Sequence, residues 1–162
     1  MADYDALVLA GGPGADLDMT NNGAIHRLIG EAIVQDKPVA AMCFAVGCLA
    51  FTRNPENGFH SVIWGKQVTA HPREWDFTDD LTYDLYQPTA DNPGTNAITP
   101  GFLLPIQDIM SDAVGPQGRV HSDPKTNRNN PCVVYGWPFI TATSVESSIA
   151  FGKKIVEVLA SY

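Results

Sequence analysis

The chain has 162 residues, and its ten basic and eighteen acidic side chains give a formal net charge of −8. This length is typical of one domain, and an apolar fraction of 44% is enough for a hydrophobic core. The acidic excess and scattered Lys and Arg exclude the basic surface that nucleic-acid backbones require. No apolar run approaches the roughly 18 residues of a membrane span, and the acidic start is unlike a secretory signal. We expect one cytosolic domain over residues 1–162, binding neither nucleic acid nor membranes.

The first third of the chain alternates between predicted strands and helices. An apolar run over residues 4–10 stops at the glycine-rich turn 11–14, which indicates a strand buried in a parallel sheet. Apolar residues at helical spacing predict a helix over residues 21–35, capped by Asn21 or Asn22. A second buried strand over residues 38–42 leads directly into an apolar helix over residues 44–51. This order is typical of right-handed parallel crossovers.

The rest of the chain is less regular. Residues 61–69 predict a short hairpin that turns at Gly65 and Lys66, and the prolines and glycines of residues 86–101 predict a long surface loop. The remaining predicted elements are, in chain order, a helix over 103–114, a Pro- and Asn-rich loop over 123–131, paired strands over 132–135 and 139–142, and a helix over 145–160.

Together these elements predict an α/β fold with a doubly wound, mostly parallel sheet of flavodoxin type and helices on both faces. The first predicted strand begins about three residues into the chain. The strands that follow barely suffice to flank it on both sides. We therefore expect a sheet that is incomplete at the N-terminal side.

Cys43 lies where a predicted buried strand meets a predicted helix, as the nucleophile does at a strand-to-helix elbow. A helix that starts directly after Cys43 would point N–H groups and a partial positive charge at the sulfur, which favours the thiolate. The turn 11–14 ends at the same edge of the sheet. The backbone amides of Gly12 and Phe44 are therefore candidate oxyanion-binding groups.

The three cysteines predict neither a set of disulfide bonds nor a metal site. Three cysteines cannot all pair, and no Cys or His spacing matches a zinc site. We expect no metal and no cofactor, and we expect Cys48 and Cys132 to lie in the core. Buried free cysteines are usually inert, and this is also the alternative for Cys43 itself.

The elbow and its surroundings resemble the ThiJ/PfpI family of the class I glutamine amidotransferase-like superfamily. The resemblance lies in the strand and Gly-Gly-Pro-Gly turn of residues 4–14 and in the Ala-Ala-Met-Cys segment of residues 40–43. Further matches lie at residues 68–72, 101–104 and 139–148, so the resemblance covers essentially the whole chain. It implies the flavodoxin-like fold and a catalytic cysteine at position 43.

The chain departs from this family pattern in three places. Family members normally begin with a further strand, helix and strand that carry an acidic residue bonded to the cysteine, and this sequence has no match for that section. Phe44 stands where one branch has a histidine, and Pro105 stands where an acid is common. We expect another polypeptide to cover the exposed sheet edge, either as a second copy in a homodimer or as a different chain in a hetero-oligomer.

A thiolate nucleophile needs a proton carrier near neutral pH, and histidine is the natural choice. His71 lies in a Thr-Ala-His-Pro setting that resembles a family histidine close to the cysteine, although a solvent-facing hairpin histidine is an equal alternative. His121, followed by Ser122 and Asp123, is the rival candidate. Glu74 is a candidate carboxylate. We expect His26 and His60 to be solvated, and Trp64, Trp75 and Trp137 to lie in the core, at an interface or along a pocket.

Two functions follow from these residues. The first is a cysteine-dependent enzyme acting on a small carbonyl, amide or related electrophile, as a hydrolase, a hydratase or a glyoxalase-like lyase. The alternative is a non-catalytic module, chaperone-like or responsive to oxidation, or one subunit of a hetero-oligomer. The sequence indicates a small-molecule substrate in the first case and does not define it further.

Overall fold

The computed structural model describes residues 1–76, 81–84, 96–99 and 104–161. The helices and strands of these residues are, in chain order, β1 (Leu7–Leu9), α1 (Gly23–Val34), β2 (Val39–Met42), α2 (Val46–Phe51), β3 (Arg53–Asn54), β4 (His60–Ser61), β5 (Gln67–Thr69), α3 (Arg73–Asp76), β6 (Leu81–Asp84), β7 (Asn96–Thr99), α4 (Ile106–Val114), β8 (Arg119–His121), β9 (Val133–Gly136), β10 (Phe139–Ala142) and α5 (Ser148–Ala160).

A four-stranded sheet in the order β1–β2–β10–β9 forms the centre of the described structure. Strands β1, β2 and β10 are parallel, with Leu9 opposite Ala41 and Ala41 opposite Thr141. Strand β9 runs antiparallel to β10, which confirms the predicted strand pair near the C-terminus. The pair β5–β8 lies beside β9 and β10, and the Thr69 amide donates to Thr141 Oγ1 at 2.9 Å.

Helices pack on both faces of the sheet. The larger core lies on the side of α1, α2 and α4, where Ile29, Val46 and Met110 are fully buried. On the other face, Phe151 and Val158 of α5 pack against Ile140 of β10. Burial of each such side chain contributes roughly 1.5–3 kcal/mol. The predicted α/β class, with a mostly parallel sheet between helices, is confirmed.

Helix α1 begins where the sequence predicts it. The Asn22 side chain caps the helix by accepting a hydrogen bond from the Ala24 amide at 2.9 Å. After Gln35 the backbone of Asp36 adopts a left-handed conformation with φ of 55°. The Lys37 amide then donates a hydrogen bond to the carbonyl oxygen of Ala32 at 2.8 Å. This bond ends the helix just before β2.

The predicted hairpin over residues 61–69 is wrong. Ser61 pairs with Arg53 in the antiparallel β3–β4 ribbon, whereas Gln67–Thr69 pairs in parallel with Arg119–His121. The Gly65 amide donates to Val114 at 2.8 Å, so the turn packs against the end of α4. Long-range partners of this kind determine the pairing, and the local hydrophobic pattern does not contain them.

The bounds of several other elements differ from the predicted ones. The predicted loop over 86–101 is wrong at Asn96–Thr99, which forms β7 and pairs with β6, and its other residues lie outside the described ones. Helix α4 begins at Ile106 after Pro105, rather than at residue 103. A 3-10 turn over Val145–Ser147 precedes α5. The predicted loop over 123–131 is confirmed, with one isolated bridge between Asn127 and Asn130.

Strand β1 forms one edge of the four-stranded sheet. Val8, in the middle of this strand, is 50% exposed. A partner polypeptide at this edge stays a prediction. Among the described residues, no helix is long and apolar enough to cross a membrane.

Candidate functional site

The strand-to-helix corner predicted at Cys43 is present. Strand β2 ends at Met42, Cys43 begins a 3-10 turn that extends to Ala45, and α2 continues from Val46. Cys43 has φ of 60°, a left-handed conformation that is uncommon for residues other than glycine. Such a conformation costs on the order of 1–3 kcal/mol and occurs often at active sites. The turn leaves the Cys43 side chain partly exposed at the carboxyl edge of the sheet.

The glycine turn after β1 lies directly against this corner. A methyl group on Gly11 would lie 2.3 Å from the carbonyl oxygen of Met42 and 2.6 Å from Cβ of Cys43, so only glycine fits. The same methyl position is 3.1 Å from the Phe44 amide nitrogen. Gly12 has φ of 126°, a backbone conformation that favours glycine. The amides of Gly12 and Phe44 therefore belong to two segments that meet beside Cys43.

Cys43, His71 and Asp76 form a connected series. The sulfur of Cys43 lies 3.2 Å from Nε2 of His71. On the other side of the ring, Nδ1 of His71 forms an ion pair with Oδ1 of Asp76 at 3.5 Å. The second carboxylate oxygen of Asp76 accepts a hydrogen bond at 2.9 Å from the amide of Ile106, the first residue of α4. The Asp76 side chain is 1% exposed, so packing fixes its position.

Aromatic contacts hold the imidazole ring of His71 in place. The chain reaches His71 at the carboxyl end of β5, and the preceding Ala70 amide donates to the carbonyl of His121 at 3.3 Å. The ring of Phe44 lies 4.6 Å from the imidazole, between centroids. The ring of Trp75 lies 5.4 Å away and perpendicular to it. Phe44, the residue that departs from the family pattern, thus packs on the histidine.

The surroundings of His71 favour its protonated form. Burial of the ring lowers its pKa, but the interactions with Asp76 and with Cys43 outweigh burial and raise the pKa to about 9. At neutral pH the ring therefore carries a proton on each nitrogen. The positively charged ring lies with Nε2 3.2 Å from the sulfur of Cys43.

A cavity of about 370 Å³ opens above the Cys43 sulfur. Glu146 lies at this cavity, in the turn after β10, and its Oε2 accepts a hydrogen bond from Oγ of Ser144 at 2.6 Å. This bond lowers the pKa of Glu146. The residues lining the cavity are Pro13, Cys43, Phe44, His71, Trp75, Ser144, Val145 and Glu146.

Sequence reasoning missed both carboxylates of this site. Pro72 directly after His71 is a typical helix start, and it places Glu74 and Asp76 in the short helix that follows. That signal did not distinguish the two acids. In the structure Glu74 is exposed, and the carboxylate beside His71 belongs to Asp76. The sequence offered no comparable signal for Glu146.

The remaining candidate histidines lie elsewhere. The Nε2 atom of His121, in β8, is within hydrogen-bond distance of Gln67 Oε1 at 2.9 Å, and it is His71 that contacts the sulfur. His60 is exposed, as predicted, and stacks on Trp64. The prediction that His26 is solvated is wrong, because its two ring nitrogens lie 2.8 Å from Thr52 Oγ1 and 2.9 Å from the Thr20 carbonyl oxygen.

The remaining predictions divide between the core and the surface. Cys48 is fully buried, as predicted. The core prediction for Cys132 is wrong, because this residue is partly exposed just before β9. Trp75 lines the cavity at Cys43. Trp64 contacts His60, and Trp137 donates to Oδ1 of Asp36 at 3.0 Å.

A larger cavity, of about 490 Å³, lies near the start of β10, where Pro138 and Phe139 contribute to its wall. Because β2 and β10 are parallel, this is the edge of the sheet opposite Cys43. Its described lining contains neither cysteine nor histidine. Over residues 1–76 and the other described ranges, no group of three His, Cys, Asp or Glu side chains is arranged to hold a metal ion. The cavity at Cys43 is the candidate active site because it contains the cysteine and the histidine that are in contact, with Asp76 on the far side of the ring.

Comparison with known proteins identifies the fold. No protein-family model and no curated protein matches the chain. The 24 kDa rapid encystment protein of Francisella tularensis matches with a TM-score of 0.72 and 22% identity, over 98% of this chain and 59% of that one. Glyoxalase III from Candida albicans matches with a TM-score of 0.69 and 16% identity, over 96% and 57%. A DJ-1 superfamily protein from Salmonella typhimurium matches with a TM-score of 0.53 and 16% identity, over 97% of this chain and 57% of that one.

These structural neighbours are members of the DJ-1/ThiJ/PfpI superfamily. The chain therefore has the flavodoxin-like fold of that superfamily, as the sequence resemblance predicts. It spans about three fifths of the length of the three solved structures named above.

Proposed function

We propose that the protein is an enzyme that uses Cys43 as a nucleophile toward a small carbonyl or acyl substrate. The observation that carries the proposal is the 3.2 Å contact between the Cys43 sulfur and Nε2 of His71 at a strained, partly exposed corner. The Asp76 carboxylate on the far side of the ring completes the nucleophile, base and orienting-acid arrangement of covalent catalysis. The cavity of about 370 Å³ fits a small substrate.

The reaction follows from the positions of these groups. The thiolate of Cys43 attacks the carbonyl carbon, a C–S bond forms, and the π electron pair moves to oxygen. The amides of Gly12 and Phe44 donate hydrogen bonds to this oxyanion. With an acyl substrate, His71 then gives the Nε2 proton to the leaving group as the carbonyl re-forms. With an aldehyde, which has no leaving group, the same proton goes to the oxyanion and a hemithioacetal forms. In the second half, His71 takes a proton from water, which attacks the thioester and releases the acid and the free thiolate.

Asp76 acts as a positioning residue in this scheme. Its contact with Nδ1 keeps the other ring nitrogen directed at the sulfur and stabilises the imidazolium. The hydrogen bond from the Ile106 amide fixes the carboxylate at the start of α4. The buried position of this acid supports an orienting role because water does not compete for it.

The test compares Cys43→Ala with Cys132→Ala, a matched change at the other partly exposed cysteine. An activated ester, p-nitrophenyl acetate, and a small dicarbonyl, methylglyoxal, serve as probes, the second chosen because one structural neighbour is a glyoxalase III. We expect Cys43→Ala to lose turnover of any accepted probe and Cys132→Ala to keep it. Brief exposure to the ester should leave one acetyl group on Cys43, detected by peptide mass spectrometry.

His71→Gln provides the second arm of this test. Loss of a general acid–base group lowers turnover by about 10²–10⁴-fold. His121→Gln is the matched control, since His121 contacts Gln67 instead of the sulfur. Full activity of Cys43→Ala, or equal losses in the two histidine variants, would contradict the proposal.

A further inference from the structure

We propose that Glu146 makes the site selective for substrates that carry a positive charge, such as an ammonium or guanidinium group near the electrophilic carbon. The inference rests on the proposed function, because it assigns the substrate class of the same cavity. Glu146 and Cys43 line that cavity together, so a substrate that fills the cavity contacts both residues.

The carboxylate of Glu146 is held in a defined orientation. It accepts the 2.6 Å hydrogen bond from Ser144. Ser144 is 2% exposed and lies just after the end of β10. The hydrogen bond occupies Oε2, and Oε1 provides a further acceptor. The Ser144 hydroxyl also favours the ionised form, since it lowers the pKa of Glu146. The site therefore contains an oriented negative charge at neutral pH.

Among the described residues, the positive groups that act on the Glu146 carboxylate are His71 and Arg128. The positive ring of His71 lies between the Cys43 sulfur and the Asp76 carboxylate, so its charge is balanced within that series. Arg128 acts on Glu146 from the neighbouring cavity, which it lines together with Lys153 and Glu146, and neither cation is among the described residues that line the cavity at Cys43. The potential at the sulfur therefore favours a cationic substrate over an anionic one.

The walls of the cavity suit such a substrate. Trp75 and Phe44 contribute aromatic rings, and Pro13 and Val145 contribute apolar surface. A cation over an aromatic ring gains about 0.5–1 kcal/mol at an exposed site and more when desolvated. An anion would meet the same walls without this gain and with repulsion from Glu146. Charge and aromatic surface thus favour the same class of substrate.

Methanethiosulfonate reagents test the inference without a known substrate. The Cys43 thiolate attacks the sulfenyl sulfur, the S–S bond of the reagent breaks, and methanesulfinate leaves as a mixed disulfide forms. Three reagents with a trimethylammonium, an uncharged or a sulfonate group differ in charge. Rates at Cys43 are measured by peptide mass spectrometry and divided by those of an uncharged small thiol. We expect the cationic reagent to exceed the anionic one by about tenfold, equivalent to 1.4 kcal/mol.

Glu146→Gln is the decisive variant, because it removes the charge and keeps an oxygen that accepts from Ser144. We expect it to bring the cationic and anionic rates close together. Glu74→Gln removes the same charge from an exposed position on α3 and should leave the preference unchanged. Ser144→Ala, which releases the carboxylate, should reduce the preference partly, and it serves if Glu146→Gln does not fold.

Wild-type protein without a charge preference, or a preference that Glu146→Gln retains, would overturn the inference. The two proposals fail separately in this design. Labelling requires only a reactive Cys43, so a charge preference that depends on Glu146 stands even if Cys43→Ala still turns over every probe. Conversely, loss of turnover in Cys43→Ala together with equal labelling rates would remove only the assignment of substrate charge.

Discussion

Cys43 and Cys48 lie close together in the chain and differ in almost every property that governs thiol chemistry. Cys43 stands at the strained corner, partly exposed and in contact with His71. Cys48 lies inside α2 with no exposed surface, and burial raises its pKa to about 11. The position of Cys43 at the end of strand β2, and not the residue type, therefore gives this thiol its exposure and its contact with His71. Cys48, further along the chain and inside α2, is part of the core.

The largest expected difference is in alkylation rate. At pH 7 a thiol with a pKa of about 11 is ionised to only about one part in 10⁴, and Cys48 is also inaccessible. We expect iodoacetamide to modify Cys43 at least about 10³-fold faster than Cys48 in the native protein. A short pulse followed by peptide mass spectrometry measures both rates together. Comparable rates would show that the two positions do not differ as described.

The two regions should also titrate in different pH windows. The pKa of His71 in the folded protein, about 9, lies above the 6.5 of an unfolded histidine. Its stabilising contribution is therefore complete below about pH 6.5 and is lost as the pH rises through 9. The Cys48 pKa is raised from 9.0 to about 11, so its contribution declines only within that higher window.

The expected loss of unfolding free energy from pH 6.5 to 9 is on the order of 3 kcal/mol, from 1.36 kcal/mol per pKa unit. Urea denaturation at the two pH values measures it. In His71→Gln most of this pH dependence should disappear. An unchanged slope in the variant would show that other groups produce it.

A smaller effect is expected from the glycine turn. Gly11→Ala places a methyl group against the Met42 carbonyl and Cys43 Cβ, and overpacking of this kind costs about 1–3 kcal/mol. Gly14→Ala is the matched change, because nothing lies within 4 Å of its added methyl group. Equilibrium unfolding of both variants tests whether the turn supports the corner. Equal stabilities would mean that the turn moves freely away from Cys43.

Much of the fold could be predicted because its signals are local. The strands β1 and β2, the Asn22 cap and the corner at Cys43 each follow from a short run of neighbouring residues. The predicted burial of β1 is wrong at Val8, because β1 lies at the edge of the sheet. His71 could be named as a candidate from its immediate setting, but only the structure distinguishes it from His121, because only His71 is placed at the sulfur. The partners of β5 could not be predicted, because β8 lies some fifty residues further on and its pairing depends on the assembled core.

The positions of the acidic side chains at the site could not be predicted from the sequence. Glu74 and Asp76 share one short helix, and only the packing of that helix against α4 turns Asp76 toward His71. Glu146 reaches the cavity from the opposite end of the chain, through the turn after β10. The same limit applies to His26, whose partners Thr20 and Thr52 come from separate segments. Such contacts are products of tertiary structure.

NMR titration of the histidine ring protons is the decisive test of whether His71 interacts with both Cys43 and Asp76. His71→Gln identifies the resonance among the four histidines. We expect a midpoint near pH 9 for His71 in the wild-type protein and a lower one in Asp76→Asn, in which the ion pair is removed. A midpoint near 6.5, unaffected by Asp76→Asn, would contradict this expectation.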